Sequence, residues 1–456
     1  MSTPSEALKP SNELLVLTPA QRQAIDHLTH HLSTLLVAGT GAGKTAIGAL
    51  TAQHYANHSS IQRVIIAAPP NVLDHRMKEA RKWHVDTRRW CILSGTPMDR
   101  VKYLGSGRYN VFIISLANLH WITQQEHPST AIIIDELSKV TGKASVGLRA
   151  KRTRQPFVVR IGMTATPVSE DYIKLFNMAK TLDLGDSLGK RKESYMHTYF
   201  TSTDYKGYNF KLKPFAATRI MEKVKYLVYV VGYIKADHVP AFVAEELSFQ
   251  MSDDARRLYQ QMSKDMLLPE HDVVAPNLAV ASGKLRQITS GFVIGESGKP
   301  GEIDMNRAIA AAAWTKENTR KKVIVYEYDY SRYQLEVLLR QAGTSYRVAS
   351  GETDTKAEIQ AFITGDAEIL LAQFKTLSHG VNGLQDVCHD MLMYQPIWSA
   401  DANEQLIGRL HRQGQKEAVS VTYLVAEDSV DDLILARVDG KSVNMKTFMK
   451  FLGDNK

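Results

Sequence analysis

The sequence predicts an α/β protein with two doubly wound parallel sheets joined by helical connecting segments. Three observations carry this. Short apolar runs rich in Val and Ile recur along the chain, each followed by a stretch with helical spacing, which is the pattern of parallel strands covered on both faces. The alternation occurs in two blocks, one ending near Pro167 and one beginning near Val323. The chain has 456 residues, enough for two or three separate cores.

Taken in order, residues 1–13 read as a flexible arm containing Pro4 and Pro10. Leu17-Thr18-Pro19-Ala20-Gln21 then opens an amphipathic helix, with Thr18 as cap and Pro19 at its first position. Leu35-Leu36-Val37 is the first apolar strand. Ala38 to Gly43 follow with almost no side-chain bulk, and helix formers resume at Lys44. Strand, small-residue loop and helix in that order cradle a phosphate, because loop N–H groups and the helix N-terminus converge on an anion. Gly39, Thr40, Gly41, Ala42 and Gly43 supply the cradle, Lys44 reaches the β- and γ-phosphates, and the Thr45 hydroxyl ligates Mg²⁺. The strict pattern begins with Gly where this chain has Ala38, a change that keeps the position small. The expected ligand is a nucleoside triphosphate, taken as ATP with Mg²⁺. Gln21, one helix upstream, is placed to offer a donor and an acceptor to an adenine edge.

Further strands are expected at Val64–Ala68, Val111–Ile114, Ala131–Ile134 and Phe157–Gly162. Ligands of such sheets lie beyond the carboxyl ends of strands, so the residues there matter most. Asp135 and Glu136 end the Ala131–Ile134 run. An Asp-Glu standing alone would be a strand-end helix cap; roughly 90 residues after a phosphate loop, Asp135 is placed to hold Mg²⁺ and Glu136 to deprotonate the attacking water. Gly162-Met163-Thr164-Ala165-Thr166-Pro167 follows the next strand, with two hydroxyls able to link the carboxylates to a moving part.

Residues 168–300 carry less pattern. Helices are expected at Asp171–Leu182 and at Asp253–Leu267, the latter capped by Ser252. Tyr195 to Lys213 interleaves aromatic and basic residues, a mixture that stacks on nucleic acid or simply packs in a core. The second block has strands at Val323–Tyr326, Ile369–Ala372, Met391–Tyr394 and Val419–Val425, with helices at Ser331–Gln341 and Val430–Val438. It lacks a second phosphate loop, so it is expected to close over the nucleotide from the other side. Gln405 to Gln415 reads as the start of a helix with Arg409 and Arg412 on one face, two guanidinium groups suited to a γ-phosphate. The expected limits are an arm at 1–13, a nucleotide-binding lobe at 14–225, a helical connection at 226–300 and a second lobe at 301–456.

Composition narrows the class. Hydrophobic residues make up 44% and charged residues 23%, with net charge +8 and pI near 9.1, which favours an anionic partner, nucleic acid before membrane. The two cysteines, Cys91 and Cys388, lie far apart in no metal-ligand spacing and read as reduced thiols of a cytoplasmic protein. Neither a leader nor a membrane span is expected.

Over roughly Leu17 to Val438 the pattern resembles the superfamily-2 helicases and translocases, and among them the Swi/Snf-type ATPases. The most specific stretch is Gln405–Gln415 with its His411-Arg412-Gln413-Gly414-Gln415 ending. Lys284-Leu285-Arg286-Gln287, Ser350-Gly351 and Gly380-Val381-Asn382 support it. The resemblance implies two RecA-like lobes that hydrolyse ATP in the cleft between them while nucleic acid runs across both. By matched position it implies adenine contact at Gln21, catalytic roles for Lys44, Asp135, Glu136, Arg409 and Arg412, a nucleotide contact at Gln405, and coupling through Thr164–Thr166 and Gly380–Asn382. Departures are Leu137-Ser138 after the acidic pair, Ser378 for a usual Gly, and an extra Gly383.

The chain resembles compact phage and bacterial forms, expected in the cytoplasm of a bacterial or phage-infected cell. The expected partner is duplex or branched DNA, bound without sequence preference. Replication or recombination proteins are candidate further partners, and a monomer is the expected state. Candidate phosphate contacts follow strands: Pro69 to Asn71, Ser94, Gly95, Ser115, Ser350, Gly351, Lys375 and Thr376. Three activities remain open from sequence: a DNA translocase, a strand-separating DNA or RNA helicase, and an ATP-gated assembly factor.

Overall fold

The computed structural model describes residues 16–39, 41–149, 157–168, 172–202, 210–231, 240–377, 383–412, 415–436 and 438. Two sheets organise them. The first has seven parallel strands: β1 (Ser33–Val37), β2 (Arg63–Ala68), β3 (Trp90–Ile92), β4 (Val111–Ser115), β5 (Thr130–Asp135), β6 (Phe157–Thr164) and β7 (Val228–Val230), in the order β3-β4-β2-β5-β6-β1-β7. The second has six: β8 (Phe242–Phe249), β9 (Lys322–Tyr326), β10 (Tyr346–Ala349), β11 (Ile369–Gln373), β12 (Asp390–Met393) and β13 (Val419–Ala426), in the order β8-β13-β12-β9-β11-β10. The expected fold of two doubly wound parallel sheets is therefore observed.

Strand side chains alternate between two cores on each sheet, as a period of two demands. Leu35, Ile65, Phe112 and Ile132 enter one core of the first sheet; Leu36, Val64, Ile113 and Ile133 enter the other. Each fully buried aliphatic side chain contributes about 1.5–3 kcal/mol. Tyr195, Tyr199 and Phe200 join the first of these cores, the Tyr195 ring lying 4.8 Å from Phe176, 5.1 Å from Tyr199 and 5.7 Å from Phe200, and the Tyr195 hydroxyl donates to the Tyr172 carbonyl at 2.8 Å. Those three aromatics pack the protein and are not open to nucleic acid; Tyr205, Lys206 and Tyr208 lie outside the described residues.

Helix starts follow their caps. Helix α1 (Pro19–His30) begins with a reciprocal box between Thr18 and Gln21, and the helix Asp253–Asp265 begins where the Ser252 hydroxyl accepts from Ala255 N–H at 3.2 Å. The stretch 226–300, expected as a helical connection, instead gives β7 to the edge of the first sheet and β8 to the edge of the second. β8 escaped notice because among the described residues its outer side has no neighbouring strand, which lets Glu245 and Glu246 interrupt the apolar pattern. Val231 is the last described residue beside the first sheet and Pro240 the first beside the second.

Candidate nucleotide site between the two sheets

The carboxyl ends of β1, β6 and β5 form the site. Register pairs Val37 with Thr164 and Asp135 with Met163, so the phosphate loop, the 164–166 segment and the acidic pair come to one end of adjacent strands. Helix α2 (Lys44–Asn57) leaves the loop through Gly41 and Gly43, with φ of +83° and +81°. Both angles suit glycine. At Gly43 space is also decisive, since a Cβ would lie 2.3 Å from Gln21 Nε2.

Lys44 folds into this loop, its Nζ donating to the carbonyls of Ala38 at 2.8 Å and Gly39 at 3.3 Å. Gln21 is buried against the loop: Nε2 donates to the Ala42 carbonyl at 3.2 Å and Oε1 accepts from Thr18 N–H at 2.9 Å. Its amide keeps one donor and one lone pair for a further partner. Gly39, Gly41, Ala42, Gly43 and Thr45 stand together here; Thr40 lies outside the described residues.

Asp135 ends β5 nearly buried and forms an ion pair with Arg76 of α3 (Leu73–Lys82). Its other oxygen, Oδ1, is buried without a hydrogen-bond partner. An orphaned carboxylate oxygen beside a phosphate cradle fits a divalent cation. Glu136 follows in the left-handed region at φ +56°, a conformation costly for a residue with a Cβ. The Thr164 hydroxyl donates to Ser138 Oγ at 3.4 Å and accepts from Thr166 N–H at 3.1 Å, tying the 164–166 segment to the residues after the acidic pair.

The second sheet brings helix α4 (Ala400–Leu410), which Ser399 caps through Ala402 N–H at 3.2 Å. The Gln405–Gln415 stretch is thus the end of a helix. Arg409 lies in the last turn with half-buried Gln405 one turn before it, while Arg412 stands beyond the His411 cap. The two arginines therefore do not share a helical face. They still act on each other: burial and the Arg412 charge push the Arg409 guanidinium down to about 10, against the opposing pull of Glu136 from the first sheet. Burial also lowers Arg412, opposed by Asp386 and by Glu79 of α3. Gln415 closes the turn after the helix, donating to the Cys388 carbonyl at 3.1 Å.

The residues expected on nucleic acid all follow strands, but not all are presented outward. Ser94 and Gly95 after β3 are exposed, as are Gly351 after β10 and Lys375 after β11, with Thr376 half-buried. Pro69 and Ser115 are buried. Ser350 is buried in its own turn, where Oγ accepts from Glu352 N–H at 3.2 Å. Gly380–Asn382, Ser378 and the pair Gln413-Gly414 lie outside the described residues. Arg76 was missed by sequence reasoning. The available signal was its place in the stripe Leu73, Arg76, Met77, Ala80, where a helix facing a core carries apolar side chains.

With the geometry in place, relatives can be compared. The family described as type III restriction enzyme, res subunit, matches residues 14–169. The Saccharomyces cerevisiae nuclear protein STH1/NPS1 is 22% identical over 92% of this chain and 34% of its own length. The uncharacterized ATP-dependent helicase YqhH of Bacillus subtilis is 21% identical over 88% of this chain and 73% of its own. A solved chain described as the Sulfolobus solfataricus SWI2/SNF2 ATPase core in complex with dsDNA covers 96% of this chain and 94% of that one, at 16% identity and TM-score 0.44. Over residues 14–169 this chain is similar to that family, and over most of its length to STH1/NPS1 and YqhH. It spans about a third of the length of STH1/NPS1, the first of these relatives.

Proposed function

We propose that the chain hydrolyses ATP between its two sheets and uses the cycle to move along duplex or branched DNA, remodelling it or its bound proteins. The observation that carries this is the electrostatic pull of Glu136, on the first sheet, on Arg409, from the second. A base for the attacking water and a cation for the developing phosphate charge then belong to different lobes, so turnover requires closure.

The phosphate loop and Lys44 hold the triphosphate, and Glu136 takes the proton of the attacking water. Arg409 stabilises charge on the transferred group, with Arg412 behind it. Thr45 and Asp135 would hold Mg²⁺, which supplies charge neutralisation at the β- and γ-oxygens. Release of product frees Arg409 and lets the lobes part, and Thr164 and Thr166 carry that change through Ser138. Phosphate contacts at the exposed strand ends give binding without sequence preference and a steep fall with salt. Strand pairing supports lobes of about 16–231 and 240–438, and a monomer suffices for the cycle.

The test is ATPase rate with no nucleic acid, single-stranded DNA, duplex DNA or RNA, with Lys44→Ala as control. Stimulation by duplex DNA is expected. Stimulation by RNA alone would replace this reading with an RNA helicase, and indifference to every nucleic acid would replace it with an ATP-gated assembly factor.

A further inference from the structure

The buried pair of Arg76 and Asp135 has no place in the scheme above, although Asp135 does. Arg76 leaves α3 at a core position and is 5% exposed. Its guanidinium lies beside α2, where a Cβ on Gly48 would stand 3.5 Å from Nη1 and 3.2 Å from Met163 Cε. The guanidinium therefore packs in ordinary contact distance of Gly48, one turn behind Lys44 and Thr45. The pairing is one-sided: Asp135 Oδ2 accepts from Arg76 Nη2 while Oδ1 has no partner.

A lone ionised carboxylate in this position is unfavourable, and such groups are retained only when paired. Arg76 supplies the missing positive charge when no divalent cation is present. The same charge opposes a cation arriving at Oδ1, because like charges a few ångströms apart in a buried site repel strongly. A nucleotide triphosphate brings enough negative charge to reverse that balance. We propose that Arg76 is the resident counter-ion of Asp135, a positioning residue that fixes Oδ2, leaves Oδ1 for the metal's shell, and restricts metal binding to the nucleotide-loaded site. This rests on the nucleotide site proposed above and adds to it an order of binding: nucleotide and metal together, never metal first.

The experiment is Mn²⁺ titration followed by electron paramagnetic resonance on the full chain without nucleotide and again with ADP. Variants are Arg76→Gln, which keeps a donor to Asp135 but no charge, Arg76→Lys, which keeps the charge, and Arg76→Gln/Asp135→Asn. Without nucleotide, Arg76→Gln is expected to bind Mn²⁺ at least about tenfold more tightly than the native chain, while Arg76→Lys stays weak and the double variant returns to weak binding. A structural role alone would not let lysine restore weak metal binding. Arg76→Gln that is folded but binds Mn²⁺ no better than the native chain overturns the counter-ion role. So does Arg76→Gln that remains unfolded at millimolar Mn²⁺, whereas a variant folded only by Mn²⁺ supports it. Native chain that takes up neither ADP nor Mn²⁺ with ADP overturns the nucleotide site itself, an outcome distinct from the others.

Discussion

Glu136 of the first sheet acts electrostatically on Arg409 of the second, opposing the burial and the Arg412 charge that together lower the guanidinium. On Arg412 the opposing pulls come instead from Asp386 and Glu79. The two arginines are therefore expected to separate in kinetics. Arg409→Ala should lower kcat by about 10³–10⁵ while nucleotide affinity changes little, and Arg412→Ala should cost less. Single-turnover ATP hydrolysis together with binding of a fluorescent nucleotide measures both; equal losses would put the two side chains in one role.

Gly43→Ala tests the loop. The substitution forces a Cβ into a left-handed residue and into Gln21 Nε2, so a destabilisation of about 1–3 kcal/mol and weakened nucleotide binding are expected. Thermal unfolding and ATP binding check this. Removing the obstructing amide as well, in Gly43→Ala/Gln21→Ala, should recover part of the stability but not the affinity.

Acid should loosen the face of α3 that meets the second sheet. Burial holds the His75 imidazole below its ordinary value of 6.5, with Arg76, Arg412 and Lys82 adding to the effect and Glu79 opposing it. The unfolded chain takes up this proton first as pH falls. Stability from His75 is thus complete above about pH 6.5 and is lost as pH falls through the lower folded value. The thermal midpoint of His75→Gln should fall less between pH 7.5 and 5.5 than that of the native chain; parallel curves would assign the acid sensitivity to other groups such as His54, which burial also lowers.

The second lobe has its own buried pair. Arg307 is fully buried, pairs with Asp431, and donates to the carbonyls of Thr289 at 3.0 Å and Tyr394 at 2.6 Å. Arg307→Ala strands the Asp431 carboxylate and the carbonyls of Thr289, Tyr394 and Leu424, and should cost about 3–5 kcal/mol. Chemical denaturation measures it; Arg307→Met/Asp431→Leu, which removes both charges, should be markedly less damaging.

The strands were legible because continuous apolar runs leave little choice: Val111–Ile114 and Ala131–Ile134 lie in the sheet as expected. Lys44, Asp135 and Glu136 were legible because a phosphate loop and a strand-end acidic pair need those residue types. The end of α4 was not. Gln405–Gln415 carries helix formers up to its Gly414, and only the Ser399 cap, six residues earlier than Gln405, fixes the true start. Arg76 and Arg307 were hidden for a different reason. Arg76 stands among charged residues that obscure its place in the apolar stripe, and Arg307, at the head of an alanine-rich helix, is drawn inward by Asp431, a carboxylate distant in sequence.

The crossing between the sheets bears on how they move. His411, between Arg409 and Arg412, sits with Nε2 3.0 Å from the Pro240 carbonyl and its ring 5.3 Å from that of Phe242. In the proposed cycle the guanidinium pair is thereby fastened next to the place about which the halves would swing. Travel grows with radius, and β3 and β10 are the outermost rims on either side. A slight yielding at the nucleotide would then become a wide stroke at Ser94-Gly95 and Gly351, as in a pair of tongs gripped near the rivet.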